Sequence, residues 1–291
     1  MNANNDRLPR VGVVTVAYRS DAVLPAFLDS VRASTGVAVS IVVADNCPAD
    51  GDGARSAAAA VDAVYLPLDH NPGYGAAANA GVAALGQSVD WLVISNPDVI
   101  VQPDTISTLV GSAEATTDVG AVGPRVLNLD GTIYPSARAV PSLRTGIGHA
   151  LFVRVWPRNP FTARYHQADQ TASGRRDTGW LSGACLLLPR TAFERVGGFD
   201  EGYFMYFEDV DLGYRLGKAG LRSIYEPAAV VTHTGAHSTD GESAAMLEAH
   251  HDSARRFIKA KYRGWALWPL RVVISAGLRV RAAVLTRTTR P

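Results

Sequence analysis

The sequence has little of what several protein classes require. Its 291 residues include only two cysteines, Cys47 and Cys185, in apolar stretches and without metal-ligand spacing, which argues against a disulfide framework and favours two core thiols in a reduced, cytoplasmic compartment. Basic and acidic side chains nearly balance, at 28 and 27, so the basic excess of nucleic-acid-binding proteins is missing. No apolar run is long enough for a membrane-spanning helix, and the polar N-terminus does not resemble a signal peptide.

The first 125 residues alternate between strand-like and helix-like segments. Buried strands are predicted from β-branched apolar runs at 11–18, 39–44, 64–66, 91–95 and 120–122. Helices are predicted from apolar residues at helical spacing at 21–34, 76–85 and 104–115, with an alanine-rich helix before the third strand. This order predicts an α/β fold with a mostly parallel central sheet flanked by helices. Ligands bind such sheets beyond the carboxyl ends of the strands.

The second half is less regular. Residues 125–178 contain turns, prolines and scattered arginines and are predicted to form a long insertion or loop region. An apolar strand is predicted at 180–188, a helix that begins with acids at 208–219, and an extended segment at 222–234.

The C-terminal segment differs from the rest in its charges. Residues 250–262 are predicted to be helical with charges of both signs, whereas residues 264–291 combine apolar residues with basic charges and contain no acid. This composition is typical of a helix that lies in a membrane interface and is attracted by anionic lipid. A helix packed on the body of the protein is the alternative.

Acidic residues occur at two predicted element ends. Asn96-Pro97-Asp98 directly follows the strand at 91–95, and the carboxylate of Asp98 can there bind a divalent cation or simply cap a turn. Glu208, Asp209 and Asp211 open a helix behind the aromatic stretch 203–207. Acids cap helix N-termini, but three exceed what capping needs, so one of them is a candidate base. Asp211 is also placed to pair with Arg215 one helical turn later.

Two further features are candidates for ligand contacts. His233 ends an extended apolar segment and is either a hydrogen-bonded structural residue or a metal ligand that works with an acid. The glycine-rich segment 71–75 precedes a helix, where backbone N–H groups can face a phosphate or a base, although loops before helices often contain glycine. Its glycine spacing differs from that of dinucleotide-binding and P-loop proteins, which argues against a nicotinamide cofactor and an NTPase.

Taken in order, seven segments resemble family 2 of the inverting glycosyltransferases, which have the GT-A type fold. The segments are VVTVAYRS, IVVADN, NPGYGAAANAG, WLVISNPDV, WLSGACLLLPR, VGGFDEGYFMYFEDVDLGYRLGKAG and VVTHTG. Within the family the pattern is similar to bacterial rhamnosyltransferases, which pass L-rhamnose from dTDP-rhamnose to an N-acetylglucosaminyl-diphospho-polyprenol lipid. Such a step belongs to the synthesis of the arabinogalactan linker of the cell wall or of a surface polysaccharide.

The resemblance implies roles for the matching residues. The nucleotide of the donor is expected to contact Ala17, Tyr18, Asp45, Asn71, Gly75, Asn79 and Asn96. Asp98 corresponds to the last acid of the family's Asp-x-Asp motif, in which Asn96 replaces the first acid, and His233 completes a Mg²⁺ or Mn²⁺ site. Asp209 corresponds to the catalytic base, beside Glu208. The segment between donor sugar and acceptor corresponds to Trp180, Ser182 and Gly183.

The resemblance also implies an organisation. We expect a glycosyltransferase domain over residues 1–240, with a nucleotide-binding half at 1–125 and an acceptor and catalytic half at 126–240. Residues 241–291 would be a helical, basic extension that associates with the membrane, which places the protein peripherally on the inner face of the cell membrane. Its partners would be a nucleotide-sugar donor and a polyprenyl diphosphate acceptor. A homo-oligomer is one alternative for the oligomeric state.

Three other functions are open from the sequence. A family 2 enzyme can use another donor, such as UDP-galactofuranose or a UDP-hexose. A sugar nucleotidyltransferase would carry a glycine-rich loop with Arg and Lys after the first strand, where this chain has Ala17-Tyr18-Arg19-Ser20. A non-catalytic sugar- or lipid-binding module would have no need of the acid pair Glu208-Asp209.

Overall fold

The computed structural model describes residues 7–48, 52–142, 174–235, 244–265 and 268. The strands are β1 (Arg10–Ala17), β2 (Ala38–Asp45), β3 (Val64–Pro67), β4 (Trp91–Ser95), β5 (Val99–Val101), β6 (Val119–Leu127), β7 (Ile133–Tyr134), β8 (Ala137–Arg138), β9 (Arg176–Thr178), β10 (Trp180–Leu181), β11 (Cys185–Pro189) and β12 (Arg222–His233). The helices are α1 (Leu24–Arg32), α2 (Gly53–Ala60), α3 (Tyr74–Ala84), α4 (Thr105–Glu114), α5 (Arg190–Arg195), α6 (Glu208–Lys218) and α7 (Ala244–Lys261).

The central sheet has the order β3-β2-β1-β4-β11-β6-β12-β5, with β7 paired to β6 and β9 paired to β12. Four of the seven neighbouring pairs along this path are parallel: β3–β2, β2–β1, β1–β4 and β6–β12. The prediction of an α/β fold with a mostly parallel sheet is therefore confirmed. Because β1 pairs in register with β2 and β4, all three strands end at the same edge of the sheet.

The sheet is buried on both faces. Side chains alternate between the two faces of a strand, so Val11 and Val13 of β1 pack with α1, α2 and α4, whereas Val14 and Val16 pack with α3, α5 and α6. The valines at these positions suit a pleated strand that is covered on both sides. The helices on both faces thereby hold the strand ends, and the loops that follow them, in fixed positions.

The two cysteines are both free thiols. Cys185 lies in the core at 3% exposure, and burial raises the pKa of its thiol to about 12. It is the small core residue that the sequence predicts. Cys47 is only partly buried.

The predicted single strand at 180–188 is wrong in one respect, because the apolar run is divided between two sheets. β10 pairs with β8 in a separate two-stranded sheet, and β11 enters the central sheet antiparallel to β4 and β6. Ser182, Gly183 and Ala184 form the loop between them. The predicted loop region 125–178 also contains strands, since β6 continues to Leu127 and β7, β8 and β9 follow. Residues 143–173 of that region lie outside the described residues.

Helix α7 packs on the body of the protein. Its residue Phe257 is 2% exposed and contacts the rings of Phe207 and Tyr214. The helix predicted at 250–262 is confirmed, although it begins earlier, at Ala244. The tail predicted to contact a membrane lies outside the described residues from 269 onward. Among the helices of the described ranges, none combines the length and the apolar character that a bilayer crossing needs.

Candidate active site

The ends of β1 and β2 form the first part of the site. Ala17 is buried at the end of β1, and the next residue, Tyr18, is 48% exposed. Asp45 is buried at the end of β2, where its Oδ1 accepts a hydrogen bond from the N–H of Cys47 (2.9 Å) and its Oδ2 accepts one from the hydroxyl of Tyr65 (2.8 Å). Burial and this bond to Asp45 raise the pKa of Tyr65 to about 12. The carboxylate of Asp45 is thus held in one orientation by hydrogen bonds to both of its oxygens.

The glycine-rich loop before α3 is docked on the aromatic stretch 203–207. The side-chain oxygen of Asn71 accepts a hydrogen bond from the N–H of Gly73 (3.0 Å), which shapes the turn. Gly73 has φ of +96°, and a Cβ there would lie 2.2 Å from the carbonyl oxygen of Phe204. The N–H of Tyr74 donates to this same carbonyl (3.1 Å). Only glycine therefore fits at position 73.

Gly75 and Asn79 face the segment around Phe199. A Cβ at Gly75 would lie 3.0 Å from the Cβ of Phe199. The side-chain amide of Asn79 donates to the carbonyl of Phe199 (3.0 Å) and to the carboxylate of Glu201 (3.0 Å), and its oxygen accepts from the N–H of Phe199 (2.9 Å). Asn79 therefore holds a backbone segment in place, and its contact with the donor stays a prediction.

The structure brings together Asp98 and His233, the two residues predicted at the metal, and places Asn96 of the predicted donor pocket beside them. β5 pairs antiparallel with β12, with His233 opposite Val99, so His233 lies next to Asp98. Its Nε2 is 3.1 Å from Oδ1 of Asp98, and the amide nitrogen of Asn96 is 3.5 Å from the same Nε2. The carbonyl of Asp98 also accepts hydrogen bonds from the N–H (2.8 Å) and hydroxyl (3.0 Å) of Thr234. These bonds fix the acid against the end of β12.

Asp98 and His233 fit a divalent cation as two of its ligands. Two adjacent ligands of an octahedral ion with bonds of about 2.1 Å lie about 3.0 Å apart. The 3.1 Å between the carboxylate oxygen and the imidazole nitrogen is close to this separation. Within the described residues no third His, Cys, Asp or Glu joins them. Such an ion would need oxygen ligands from a substrate or from water, and its presence stays a prediction.

Glu208 and Asp209 open helix α6 directly after a strained stretch of backbone. Tyr206 and Phe207 both have φ of +66°, in the left-handed region that residues with side chains disfavour. Each such residue costs on the order of 1 to 3 kcal/mol and persists only where surrounding contacts hold it. Strain of this kind is common at functional sites, and here it sets the direction in which the two acids leave the loop.

The two acids differ in their hydrogen bonds. Asp209 accepts from the N–H groups of Gly183 (3.0 Å) and Val210 (2.7 Å). Glu208 is 8% exposed, and its Oε2 has no hydrogen-bond partner among the described residues. Burial and the nearby Asp209 raise the pKa of Glu208 to about 8. Burial also raises the pKa of Asp209 above its ordinary value, although its two N–H donors act in the opposite direction. Of the two carboxyls, Asp209 therefore has hydrogen bonds that stabilise a negative charge, whereas Oε2 of Glu208 lacks them.

The loop from Ser182 to Ala184 connects this acid pair to the strand-end edge. Gly183 donates its N–H to Asp209, and the carbonyl of Ala184 accepts hydrogen bonds from the N–H of Asn96 (2.9 Å) and the hydroxyl of Ser95 (3.0 Å). The loop is itself anchored, because the N–H of Ser182 donates to the carbonyl of Ser136 (2.7 Å). Ser182 and Gly183, which are predicted to separate the donor sugar from the acceptor, thus belong to a loop that is hydrogen-bonded to Asn96 on one side and to Asp209 on the other.

Trp180 lies at the start of this segment. Its indole N–H donates to the carbonyl of Ala139 (3.2 Å), and the guanidinium of Arg138 lies 5.8 Å from its ring. A Cβ at Gly213 of α6 would lie 2.6 Å from the Cβ of Trp180, so helix and tryptophan approach closely. Trp180 therefore supports α6, and its contact with a substrate stays a prediction.

Tyr74 is a site residue that the sequence analysis missed. Its hydroxyl donates to the carbonyl of Gly183 (2.9 Å), the residue whose N–H binds Asp209. Burial and the carboxylates of Glu208 and Asp209 raise the pKa of Tyr74 well above its ordinary value, so it stays a neutral donor. The glycine-rich segment 71–75 indicated this region, but the sequence around Tyr74 does not indicate a hydrogen-bond partner 109 residues away.

Asp211 pairs with Arg215, as the sequence predicts. The guanidinium Nε of Arg215 lies 2.6 Å from Oδ2 of Asp211, and the same guanidinium donates to the carbonyls of Val196 and Gly198 (2.7 Å each). Asp211 thus joins α6 to the preceding loop. Of the three acids at the start of α6, Asp211 is thus the one held in an ion pair with an arginine.

Comparisons with known proteins identify the family. The family described as Glycosyltransferase like family 2 matches residues 9–251. The chain is 42% identical over 286 residues to the N-acetylglucosaminyl-diphospho-decaprenol L-rhamnosyltransferase of Mycobacterium tuberculosis, covering 95% of this chain and 93% of the relative. It is 30% identical over 224 residues to the pre-mycofactocin glycosyltransferase of the same organism, covering 72% of this chain and 42% of that protein.

A solved structure supports the fold. The mannosyltransferase PcManGT from Pyrobaculum calidifontis, in complex with GDP-Man and Mn²⁺, aligns with a TM-score of 0.59 and 18% identity, covering 98% of this chain and 77% of that chain. The predicted GT-A type fold is confirmed by this likeness. The family match also leaves the nucleotidyltransferase alternative without support. Because the match spans most of the chain, as the seven motifs predict, this protein belongs to glycosyltransferase family 2 and is a glycosyltransferase.

Proposed function

We propose that the protein is an inverting rhamnosyltransferase. It transfers L-rhamnose from dTDP-L-rhamnose to N-acetylglucosaminyl-diphospho-polyprenol in the synthesis of the cell wall or a surface polysaccharide. The observation that carries this proposal is the 42% identity to a relative named for rhamnosyl transfer to a decaprenol-linked acceptor. Both chains are covered almost completely, so the similarity extends beyond a shared nucleotide-binding domain.

Asp209 is the proposed catalytic base. A sugar hydroxyl is a poor nucleophile at neutral pH, so a carboxylate must accept its proton as the oxygen attacks the anomeric carbon. The two N–H groups that bind Asp209 favour its charged form, whereas buried Glu208 holds a proton. Glu208 is therefore proposed as the partner that keeps the pair singly charged, and Asp209 as the group that receives the proton.

Asp98 and His233 are the proposed ligands of a Mg²⁺ or Mn²⁺ ion. Their ligand atoms are 3.1 Å apart and both side chains are largely buried, at 11% and 17% exposure, which supports this role. When bound, such a cation neutralises charge on the diphosphate of the donor as the leaving group departs. Asn96, whose amide nitrogen lies near the same imidazole, is assigned to the donor pocket.

The remaining donor contacts are proposed along the strand-end edge. Ala17 and Asp45 end two neighbouring strands, and Tyr18 follows the first of them. Asn71 lies in the glycine-rich loop and Gly75 in the first turn of α3. We assign the nucleoside to this edge because ligands of such sheets bind beyond the carboxyl ends of the strands. Asn79 acts there through the segment at Phe199 that it holds, and Trp180, Ser182 and Gly183 separate donor sugar and acceptor.

The proposed organisation is a catalytic domain over residues 1–240, with the two halves given above, followed by an extension over 241–291. The extension brings the enzyme to the inner face of the cell membrane, where a polyprenyl acceptor resides. Two tryptophans after α7 support this proposal, because Trp265 is 86% and Trp268 56% exposed and such rings favour the interface of a bilayer.

The test is a transfer assay with purified enzyme, N-acetylglucosaminyl-diphospho-polyprenol and radiolabelled donors. We expect label from dTDP-L-rhamnose in the lipid product, and much less from UDP-galactofuranose or a UDP-hexose at equal concentration. Thermal-shift measurements with the same donors should rank them in the same order. Transfer from a UDP-sugar with none from dTDP-L-rhamnose would replace the proposed donor while leaving the enzyme class intact.

A further inference from the structure

Helix α7 lies against the base loop, which we define as residues 203–207, directly before Glu208 and Asp209. The hydroxyl of Ser253 donates to the backbone carbonyl of Met205 in this loop (2.7 Å). The ring of Phe257 lies 5.7 Å from the ring of Phe207, at the last position before the acids. Both α7 residues are buried, at 5% and 2% exposure. The helix therefore contacts the backbone and a side chain of the base loop.

Further residues of α7 extend this contact over the whole loop. The ring of His250 lies 5.4 Å from the rings of both Tyr206 and Phe207. The guanidinium of Arg256 binds both oxygens of Asp200 (2.7 and 3.0 Å) and stands 5.2 Å from the ring of Tyr203. Residues 250, 253, 256 and 257 share one face of a helix, because they follow each other at three- and four-residue steps. One helix face thus covers the loop from end to end.

The backbone of the base loop needs such support. Tyr206 and Phe207 both hold φ at +66°, which isolated residues with side chains avoid. The glycine-rich loop supports one side of the base loop, where the carbonyl of Phe204 accepts a hydrogen bond from the N–H of Tyr74. The contacts at Met205, Tyr206 and Phe207 come from α7. The carbonyl of Phe207 in turn accepts the N–H of Asp211 (2.8 Å), which starts α6.

We propose that α7 is a clamp on the base loop, and that Phe257 and Ser253 are positioning residues for Asp209. This inference rests on the proposed role of Asp209 as the base. Phe257 and Ser253 act through the loop, which carries Asp209 toward the N–H of Gly183. The C-terminal extension accordingly helps to position the base, and this role is separate from any contact with a membrane.

The test compares variants of equal chemistry at two buried phenylalanines. Phe257→Leu removes the ring that contacts the base loop, and Phe27→Leu removes a fully buried ring of α1 on the opposite face of the sheet. Small displacements of a catalytic group cost up to about 100-fold in rate, so we expect kcat to fall at least about tenfold in Phe257→Leu. We expect the KM of Phe257→Leu for the donor to stay within about twofold of the wild-type value. The kcat of Phe27→Leu should also stay within about twofold of the wild-type value. Ser253→Ala removes a single hydrogen bond and should also lower kcat.

Hydrogen exchange provides a second measurement that does not depend on catalysis. The amides of residues 204–211 should exchange faster in Phe257→Leu and Ser253→Ala than in wild type, and at the wild-type rate in Phe27→Leu. Equal kcat in Phe257→Leu and Phe27→Leu, or unchanged exchange in both α7 variants, would overturn the clamp. A fully active Asp209→Asn variant would instead refute the base while the exchange data still report on the loop.

Discussion

The strand-end edge and the base loop are built by different means. At the edge, Ala17 and Asp45 are opposite each other in one register of parallel pairing, so two adjacent strands set their positions. The base loop has no such scaffold. The glycine-rich loop and α7 hold the base loop, and Gly183 holds Asp209 after it. These three segments are far apart in the sequence. Strand pairing within the sheet determines the position of the edge, whereas tertiary contacts between distant segments determine the position of the base.

This difference predicts two kinds of variant. Changes at the strand-end edge remove contacts with the donor and should appear mainly in binding. Changes around the base loop leave the donor pocket intact and displace or alter the proton acceptor, so they should appear mainly in kcat. A variant at the strand-end edge that changes only kcat, or a variant at the base loop that changes only donor binding, would contradict the comparison.

The largest effect is expected for Asp209→Asn. The amide has the size of the carboxylate and its oxygen can still accept the N–H of Gly183, but it cannot take a proton from the acceptor. We expect kcat to fall about 10³-fold, while the dissociation constant of dTDP-L-rhamnose changes less than about threefold. Transfer of radiolabelled rhamnose and thermal shifts with the donor measure the two quantities. Wild-type turnover in this variant would rule out Asp209 as the base.

A smaller but clear effect is expected for His233→Ala. Loss of one of two protein ligands should raise the Mn²⁺ concentration for half-maximal transfer by at least about tenfold, because few other groups hold the ion. Asn96→Ala is the matched control, since its amide is a poorer ligand and should cause a smaller shift. A chelator should stop transfer by the wild type. Undiminished transfer by metal-free enzyme would exclude the metal site.

Tyr74→Phe and Tyr65→Phe compare the two regions directly, because each removes one hydroxyl next to a proposed site carboxylate. Without the Tyr74 hydroxyl the loop at Gly183 loosens, and its N–H stabilises the charge on Asp209 less. The pKa of Asp209 should rise, so kcat falls about tenfold and the acid limb of the pH–rate profile moves to higher pH. Tyr65→Phe frees Asp45 and should weaken donor binding without moving that limb. Identical pH profiles for Tyr74→Phe and wild type would remove Tyr74 from the base region.

The smallest effect concerns stability rather than rate. The pKa of buried Glu208 is raised from 4.5 to about 8, so the folded protein binds its proton more tightly than the unfolded chain does. The contribution of Glu208 to the free energy of unfolding therefore decreases as the pH rises from about 4.5 to 8. Glu208→Gln cannot lose a proton, so its Tm relative to wild type should increase by about 5 °C between pH 5 and pH 8. A difference in Tm that stays constant across this range would show that Glu208 titrates normally.

The strand-end edge was largely predictable from the sequence. Buried strands are visible as β-branched runs, and polar residues directly after them, such as Asp45 and Asp98, must lie where parallel strands end. The pairing of Asp211 with Arg215 was predictable for a similar reason, because helical spacing brings them together. In each of these cases the contact follows from one element or from two adjacent ones.

The environment of the base was not predictable in the same way. The contact of Tyr74 with Gly183 and that of Ser253 with Met205 join segments 109 and 48 residues apart, and no local pattern encodes them. The division of the apolar run 180–188 between two sheets has the same origin, since hydrophobicity alone does not say which strand a segment pairs with. The motif match located Asp209, but the groups that hold it became visible only in three dimensions.

The most direct test of the proposed mechanism is the anomeric configuration of the product. Single displacement, with Asp209 accepting the proton of the attacking hydroxyl, inverts the configuration at the anomeric carbon of rhamnose. NMR spectroscopy of the rhamnosyl linkage formed from dTDP-L-rhamnose of known configuration measures this outcome. We predict complete inversion relative to the donor. Retention of configuration would contradict the assignment of Asp209 as a base in a single displacement and would require a different catalytic role for the acid pair.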